Sequence, residues 1–360
     1  MKAQYIFTSR FLTLAGFCLA SLLARNSYAG GQVLAWGYNS DGQSDVPAEA
    51  LSQVSAIAGG EGYTLVLKNG QVIAWGINDY GQCDVPAEAL NNVSAISAGR
   101  FHAMALKDGQ VIAWGYNNYG QGNVPAEALS NVSAIACGRL YHNLALKNGK
   151  VIIWGASDYV PDEALSNVSA IAAGWDHSLA VKDGQVIAWG ANDYGQCNVP
   201  DEALSNVSAI AAGWGFSMAL KDGKVIAWGY NNYGQGNVPD EALNNVSAIA
   251  CGIYHSLALK DGQVIAWGYN FNGQGDVPVQ AQSSMIPVTA IAAGDWHSLA
   301  LKAKSLKVYN DFNGDSRSDL AIYNQASGQW DGHERHPGWG QLPAGTRRLR
   351  WRWPVRLRGL

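Results

Sequence analysis

The chain has 360 residues, with 42 glycines, 14 tryptophans and 14% charged side chains, a composition for short strands and many turns rather than for a helical bundle or a disordered polymer. Its formal charge of −4 hides a stronger bias, because residues 30–330 carry 14 Lys and Arg against 26 Asp and Glu, a net of −12. That balance opposes binding of nucleic acid or of an anionic membrane by the main part of the chain.

Residues 1–29 read as a signal peptide. Lys2 and Arg10 precede an apolar run over 11–23, and Ser27-Tyr28-Ala29 supplies a small-x-small cleavage site. The run is shorter than the roughly 20 apolar residues needed to span a bilayer. A secreted location, extracellular or periplasmic, is therefore expected, with a mature chain starting near Gly30 and no membrane partner.

From there internal repetition dominates. Trp-Gly recurs at Trp36, Trp75, Trp114, Trp154, Trp189, Trp228 and Trp267, with spacings of 39, 39, 40, 35, 39 and 39. The spacing of 40 reflects one extra residue before His142, and that of 35 reflects four residues missing between Tyr159 and Val160. Within a unit, an apolar run such as 207–212 is followed by 217–220. An Asp-Gly turn at Asp222-Gly223, of the kind that demands a type I′ hairpin, then leads into 225–228. A three-strand meander results. The Val-Pro segment with its Ala-Glu-Ala-Leu stretch, at 85–90, leaves two alternatives, a fourth outer strand or a short helical turn. Repeats of this length predict an all-β seven-bladed β-propeller over residues 30–302, with a β-solenoid as the alternative.

The ends of the array complement each other. Residues 32–36 form a third strand without partners, and 291–302 form two strands without a third. The N-terminal strand is expected to complete the last blade. After residue 302 the pattern stops. Residues 303–330 form a different short element, and 331–360 form a tail expected to be disordered.

Several recurring positions invite a chemical reading. The Trp-Gly tryptophans are expected to pack between blades. His102, His142, His177, His255 and His297 share one position, filled by Tyr63 and Phe216 in the other units. A metal ligand cannot be exchanged for Phe, whereas a half-buried ring with one hydrogen bond nearly can, so structural histidines are expected. Cys83 and Cys197, like Cys137 and Cys251, stand where other units have small residues such as Gly122 and Ala98. Buried free thiols are preferred, although a secreted chain permits disulfides. Asn92, Asn131, Asn167, Asn206 and Asn245 each begin Asn-Val-Ser, a formal sequon that repetition of one turn explains equally well. No Ser-His-Asp, Cys-His or paired-carboxylate constellation repeats, so an enzyme is not expected.

If the strands of a blade alternate up, down and up, the loop before the histidine and the loop after Trp-Gly share one face, called top here. That face gathers Phe101, Tyr141, Trp175, Trp214, Tyr254 and Trp296 from the first loops and Tyr80, Tyr119, Tyr194, Tyr233 and Phe271 from the second. Aromatic and nearly free of lysine, it has the composition of a protein-binding surface on a monomer.

The unit Gly-x-x-His-Ser-Leu-Ala-Leu-Lys-Asp-Gly-Gln-Val-Ile-Ala-Trp-Gly, followed by Asn-x-Tyr-Gly-Gln, resembles the repeats of the regulator of chromosome condensation superfamily over residues 32–302. The compact repeat and the Val-Pro-x-Glu-Ala segment most resemble its secreted β-lactamase-inhibitor branch. The resemblance implies a non-catalytic inhibitor with partner-contacting aromatics just before the histidine, at Phe101, Tyr141, Tyr254 and Trp296; Gly62, Asp176 and Gly215 depart from it. A carbohydrate-binding or adhesive module is the alternative, and a guanine-nucleotide exchange factor ranks third.

At 311–319, Asp311, Asn313, Asp315, Arg317 and Asp319 fall at positions 1, 3, 5, 7 and 9 of a Ca²⁺-type loop, and the Leu-Ala-Ile-Tyr that follows resembles FG-GAP or VCBS-type calcium repeats. Ca²⁺ is the one cofactor expected, as a structural staple. The Arg- and Trp-rich stretch 347–360 has a second reading. With one choice of codons, a one-base shift turns 348–360 into Asp-Tyr-Asp-Gly-Asp-Gly-Arg-Ser-Asp, another such loop, so the tail is expected to be a frameshift product.

Overall fold

The computed structural model describes residues 31–157, 159–283, 286–303, 308–310, 319–324 and 329–333. The chain divides into two units at residue 304. Among the described residues, the first unit contains seven three-stranded antiparallel sheets, the blades of a propeller. Blade one comprises Val54–Gly59, Tyr63–Lys68 and Gln71–Gly76. Blade two is Val93–Ala98, His102–Lys107 and Gln110–Gly115, and blade three is Val132–Cys137, His142–Lys147 and Lys150–Gly155. Blade four is Val168–Ala173, His177–Lys182 and Gln185–Gly190. Blade five is Val207–Ala212, Phe216–Lys221 and Lys224–Gly229, and blade six is Val246–Cys251, His255–Lys260 and Gln263–Gly268.

Blade seven joins Val288–Ala293 and His297–Lys302 to Gln32–Gly37 from the other end of the array. The register runs from Gln32 opposite Lys302 to Gly37 opposite His297. Closing the ring this way pairs an edge that would otherwise be free to aggregate.

The hairpin turns follow their sequence. Asp222 and Gly223 take φ of 50° and 76°, the two positive values that a type I′ turn requires and that an Asn/Asp-Gly pair accepts without strain. The sequon asparagines share another such position, with φ of 55° to 57° at Asn92, Asn131, Asn167, Asn206 and Asn245. Asn tolerates this left-handed geometry better than other side chains except Gly, which accounts for its recurrence. The Ala-Glu-Ala-Leu stretches settle the open alternative as single 3₁₀ turns, for example Ala87–Leu90 after Pro86, so the blades have no fourth strand there. Each buries one alanine, such as the fully buried Ala89. In blades one to six the lysine that ends the second strand reaches this turn, as Lys221 Nζ does in donating to the Glu202 carbonyl at 3.0 Å.

The core lies between blades and is built from Leu, Val, Ile and Ala of adjacent sheets, with the tryptophans at its edge. Trp36, Trp154 and Trp189 are buried, and Trp228 packs half-buried on the cluster around Leu179 and Val207. Six of the indoles donate to a glutamine carbonyl in the exit loop of the preceding blade, at 2.8 to 3.0 Å. The tryptophans thus tie blade to blade by packing and by hydrogen bonding.

In the second unit, Val308–Asn310, Asp319–Asn324 and Gln329–His333 form an antiparallel three-stranded sheet. Of the calcium-loop residues, Asp319 opens its middle strand; Asp311, Asn313, Asp315 and Arg317 lie outside the described residues, as do the signal peptide and residues 334–360, whereas residues 331–333, expected to begin the disordered tail, belong to the third strand because they pair with the middle one.

Candidate functional site: the aromatic top face

The meander places the two loop sets together. Tyr80 from the first exit loop lies 4.9 Å from Phe101, centroid to centroid, and Tyr119 stacks on Tyr141 at 3.9 Å. These four form one cluster through Tyr116. A second cluster begins at Trp175 and Trp214, 6.5 Å apart, takes in Tyr194, Tyr233 and Tyr254, and ends at Trp296.

Sequence reasoning missed Tyr116, Tyr230 and Tyr269, the residues directly after Trp-Gly. Each is half-buried and bridges the two loop sets, as Tyr230 does at 4.9 Å from Tyr194 and 5.3 Å from Trp214. Counting one residue on from each Trp-Gly would have found them.

Phe271 sits differently in its loop from the tyrosines of its set. In the exit loops the tyrosine amide bonds the side chain of the glutamine two residues on, as Tyr233 N does to Gln235 Oε1 at 3.0 Å. In the loop after blade six that bond is made by Asn272. Asn272, not Phe271, therefore holds the tyrosine position, and Phe271 sits one residue earlier, 87% exposed, with Tyr269 at 6.4 Å as its aromatic neighbour.

Beneath the aromatics runs a belt of histidines. His102 Nε2 lies 2.7 Å from Asn143 Oδ1, His177 Nε2 3.0 Å from Ser217 Oγ and His255 Nε2 3.1 Å from Ser298 Oγ, each reaching the next blade. His297 closes the circle onto Thr64. Because Ser298 and Ser217 give their own hydroxyl protons to the carbonyls of Gln274 and Gln196, the facing Nε2 must be the donor. The other ring nitrogen, Nδ1, is a buried acceptor without a partner among the described residues at His102, His177, His255 and His297. Burial holds these imidazoles neutral, pushing His102 and His142 down to about 4 and His177, His255 and His297 down to about 3. In blade one the Tyr63 hydroxyl bonds the carbonyls of Gly99 and His102 instead. Gly213 shows why glycine precedes the ring by three residues, since a Cβ there would lie 2.1 Å from the Phe216 ring.

At the centre of the face the residue after that glycine varies. Glu61 accepts a bidentate pair from Arg100 at 2.8 and 2.9 Å, whose guanidinium also lies over Phe101 and Trp175 at 4.7 and 4.9 Å. Arg139 stretches from blade three to Asp295 in blade seven and donates to the carbonyls of Cys251 and Ala293. Burial pushes the Asp295 carboxyl up while Arg139 pulls it back. The extra residue before His142 sits in the loop that carries Arg139; the sequence showed the insertion but not where the side chain goes.

Cys83, Cys137, Cys197 and Cys251 are free thiols, and burial pushes Cys137 up to about 12. Among the described residues no three His, Cys, Asp or Glu side chains come together as a metal site, and no helix is long and apolar enough to cross a membrane.

The arrangement is that of a seven-bladed propeller closed by its N-terminal strand. Segments 93–121, 168–196, 207–235 and 246–274 match the family model of the regulator of chromosome condensation (RCC1) repeat. No curated protein matches the sequence. Solved structures of similar fold include Prp20p from Saccharomyces cerevisiae, 20% identical, with a TM-score of 0.60 over 77% of this chain and 93% of that one. Human WBSCR16 is 23% identical, with a TM-score of 0.60 over 77% of this chain and 99% of its own. The receptor kinase CR4 ectodomain of Physcomitrella patens is 19% identical, with a TM-score of 0.56 over 70% of each chain. At these identities the likeness is one of fold.

Proposed function

We propose that this chain is a secreted, non-catalytic propeller that binds a protein partner through its aromatic top face, as an inhibitor of a secreted or periplasmic enzyme such as a β-lactamase. The observation that carries this reading is the convergence of two loop sets into clusters of half-exposed Tyr, Trp and Phe around a centre whose charges are already paired. Such residues present large rigid area at low entropic cost, and aromatic anchors surrounded by neutral contacts are the anatomy of protein hot spots. Prp20p, of the same fold, is described with binding properties to Gsp1p and histones, which supports a propeller used for protein binding. Nucleotide exchange ranks behind inhibition because the leader peptide directs the chain out of the cell.

Screening the purified chain against secreted proteins, β-lactamases included, and in parallel against glycans tests the proposal. A protein ligand whose binding weakens in Trp296→Ala is expected. Binding to glycans alone, lost in the same variant, would transfer the face to carbohydrate recognition.

A further inference from the structure

Over blades seven and one, three positions of the top loops that hold rings elsewhere hold none. Elsewhere the tyrosine of an exit loop faces the residue before the belt position of the next blade: Tyr80 with Phe101, Tyr119 with Tyr141, Tyr233 with Tyr254. In the loop that leaves the closing strand the tyrosine position is Asp41, and its counterpart in blade one is Gly62. The two still face each other, since a Cβ on Gly62 would lie 3.1 Å from Asp41 Oδ2. In the loop after blade six the tyrosine is again replaced, by Asn272. With three rings absent, a pocket of about 390 Å³ opens between these loops.

Its lining is chemically specific. Tyr269 and Trp296 form an aromatic corner, their centroids 5.8 Å apart and their planes at 66°, with Tyr38 and Ile77 also lining the pocket. Asp41 and Glu61 bring two carboxylates to the same space. Arg100 neutralises Glu61, whereas the hydrogen bond that Asp41 Oδ2 accepts comes from the uncharged Ser40 hydroxyl at 3.1 Å, so Asp41 contributes net negative charge. Ring faces attract cations, and a carboxylate makes a charge-assisted hydrogen bond to an ammonium or guanidinium.

We infer that this pocket receives a cationic side chain, lysine or arginine, presented by a protein partner. The source of the cation rests on the protein-binding reading above; the chemistry of the pocket does not. The test uses small probes on the purified chain and follows the Trp296 indole N–H by NMR. Nα-acetyl-lysine methylamide is titrated beside its neutral counterpart Nα-acetyl-norleucine methylamide and beside choline. The lysine probe is expected to bind at least about fivefold more tightly than the norleucine probe. Asp41→Asn, which preserves shape, should erase that preference, and Gly62→Phe, which restores the side chain of blade two, should abolish binding of both with the melting temperature retained. Equal binding of the two probes, preference surviving Asp41→Asn, or no binding of the lysine probe would overturn the inference. Tighter binding of choline would assign the pocket to a free quaternary ammonium rather than a side chain. Each of these outcomes leaves the alanine test of the wider face standing by itself.

Discussion

At the bottom of the propeller, Asn69-Gly70, Asp108-Gly109 and Asp222-Gly223 hold one turn, with φ of 49° to 50° and 76° to 77°. At the top, the first and second strands of each blade are joined through loops that carry Gly62, Phe101, Tyr141, Asp176, Gly215, Tyr254 and Trp296 at a single position. The backbone explains the contrast. Two successive positive φ values restrict the bottom to Asn, Asp and Gly. The top residue has its backbone fixed by ladder bonds and its side chain pointed outward, so the fold sets no requirement there and the side chain is available for recognition. Between the faces lies the belt of histidines and tryptophans that ties blade to blade.

The most disruptive way to test this division is to open the ring. Removing residues 30–37 leaves His297–Lys302 as an unpaired edge strand, which invites pairing with another chain. Loss of the soluble monomer is expected in size-exclusion chromatography. A truncated chain that stays monomeric and melts at the wild-type temperature would remove the closing strand from the account.

Next comes a pair of substitutions that should separate belt from face. Trp228→Ala removes an indole packed on a blade interface and its bond to the Gln196 carbonyl at 2.8 Å, a change of the kind that costs about 3–5 kcal/mol. Trp296→Ala and Tyr254→Ala, which are half-exposed, should each weaken partner binding by about 2 kcal/mol with little change in melting temperature. Face variants that lose stability and keep affinity would make these rings caps on the blade ends.

Acid should act on the belt. The imidazoles titrate at 6.5 in the unfolded chain and at about 3 to 4 in the fold, so between those limits the unfolded chain binds more protons. Stability is then complete above pH 6.5 and lost as pH falls toward 4, by about 2 kcal/mol per histidine at pH 5. His255→Phe, which copies Phe216, should lower the number of protons taken up on unfolding at pH 5 by nearly one. An unchanged pH slope in that variant would show that other groups govern the acid response.

The fold was legible because the repeat states it seven times, in turn residues whose backbone demands are narrow. The face was legible by the alternation of strand directions, but its detail was not. In the loop after blade six the amide of Asn272, not that of Phe271, makes the bond that defines the tyrosine position, which the presence of a ring at 271 does not announce. Tyr116, Tyr230 and Tyr269 escaped notice beside the Trp-Gly signal they follow. Arg139 and Asp295 are 156 residues apart, and no local pattern announces a pair made across a ring. The pocket escaped for the opposite reason, being formed by side chains that Asp41, Gly62 and Asn272 lack.

The smallest expected effect comes from an irregularity inside the belt. The exit loop after Trp154 is four residues shorter than its counterparts, and the glutamine that would face the next tryptophan is missing. Trp189 is 6% exposed, and its indole nitrogen has no hydrogen-bond partner among the described residues. A buried donor left unpaired costs about 1–3 kcal/mol, whereas a paired one contributes about 1 kcal/mol. Replacing tryptophan with phenylalanine removes similar apolar volume at either site but opposite polar terms. At Trp189 it deletes an unmet donor; at Trp228 it breaks the bond to Gln196, whose carbonyl keeps the Ser217 hydroxyl at 2.9 Å. Denaturant titration should therefore find Trp189→Phe less costly than Trp228→Phe by about 1 kcal/mol or more. Equal costs would mean that the Trp189 indole has a partner in solution, and blade four would then be as firmly tied as its neighbours.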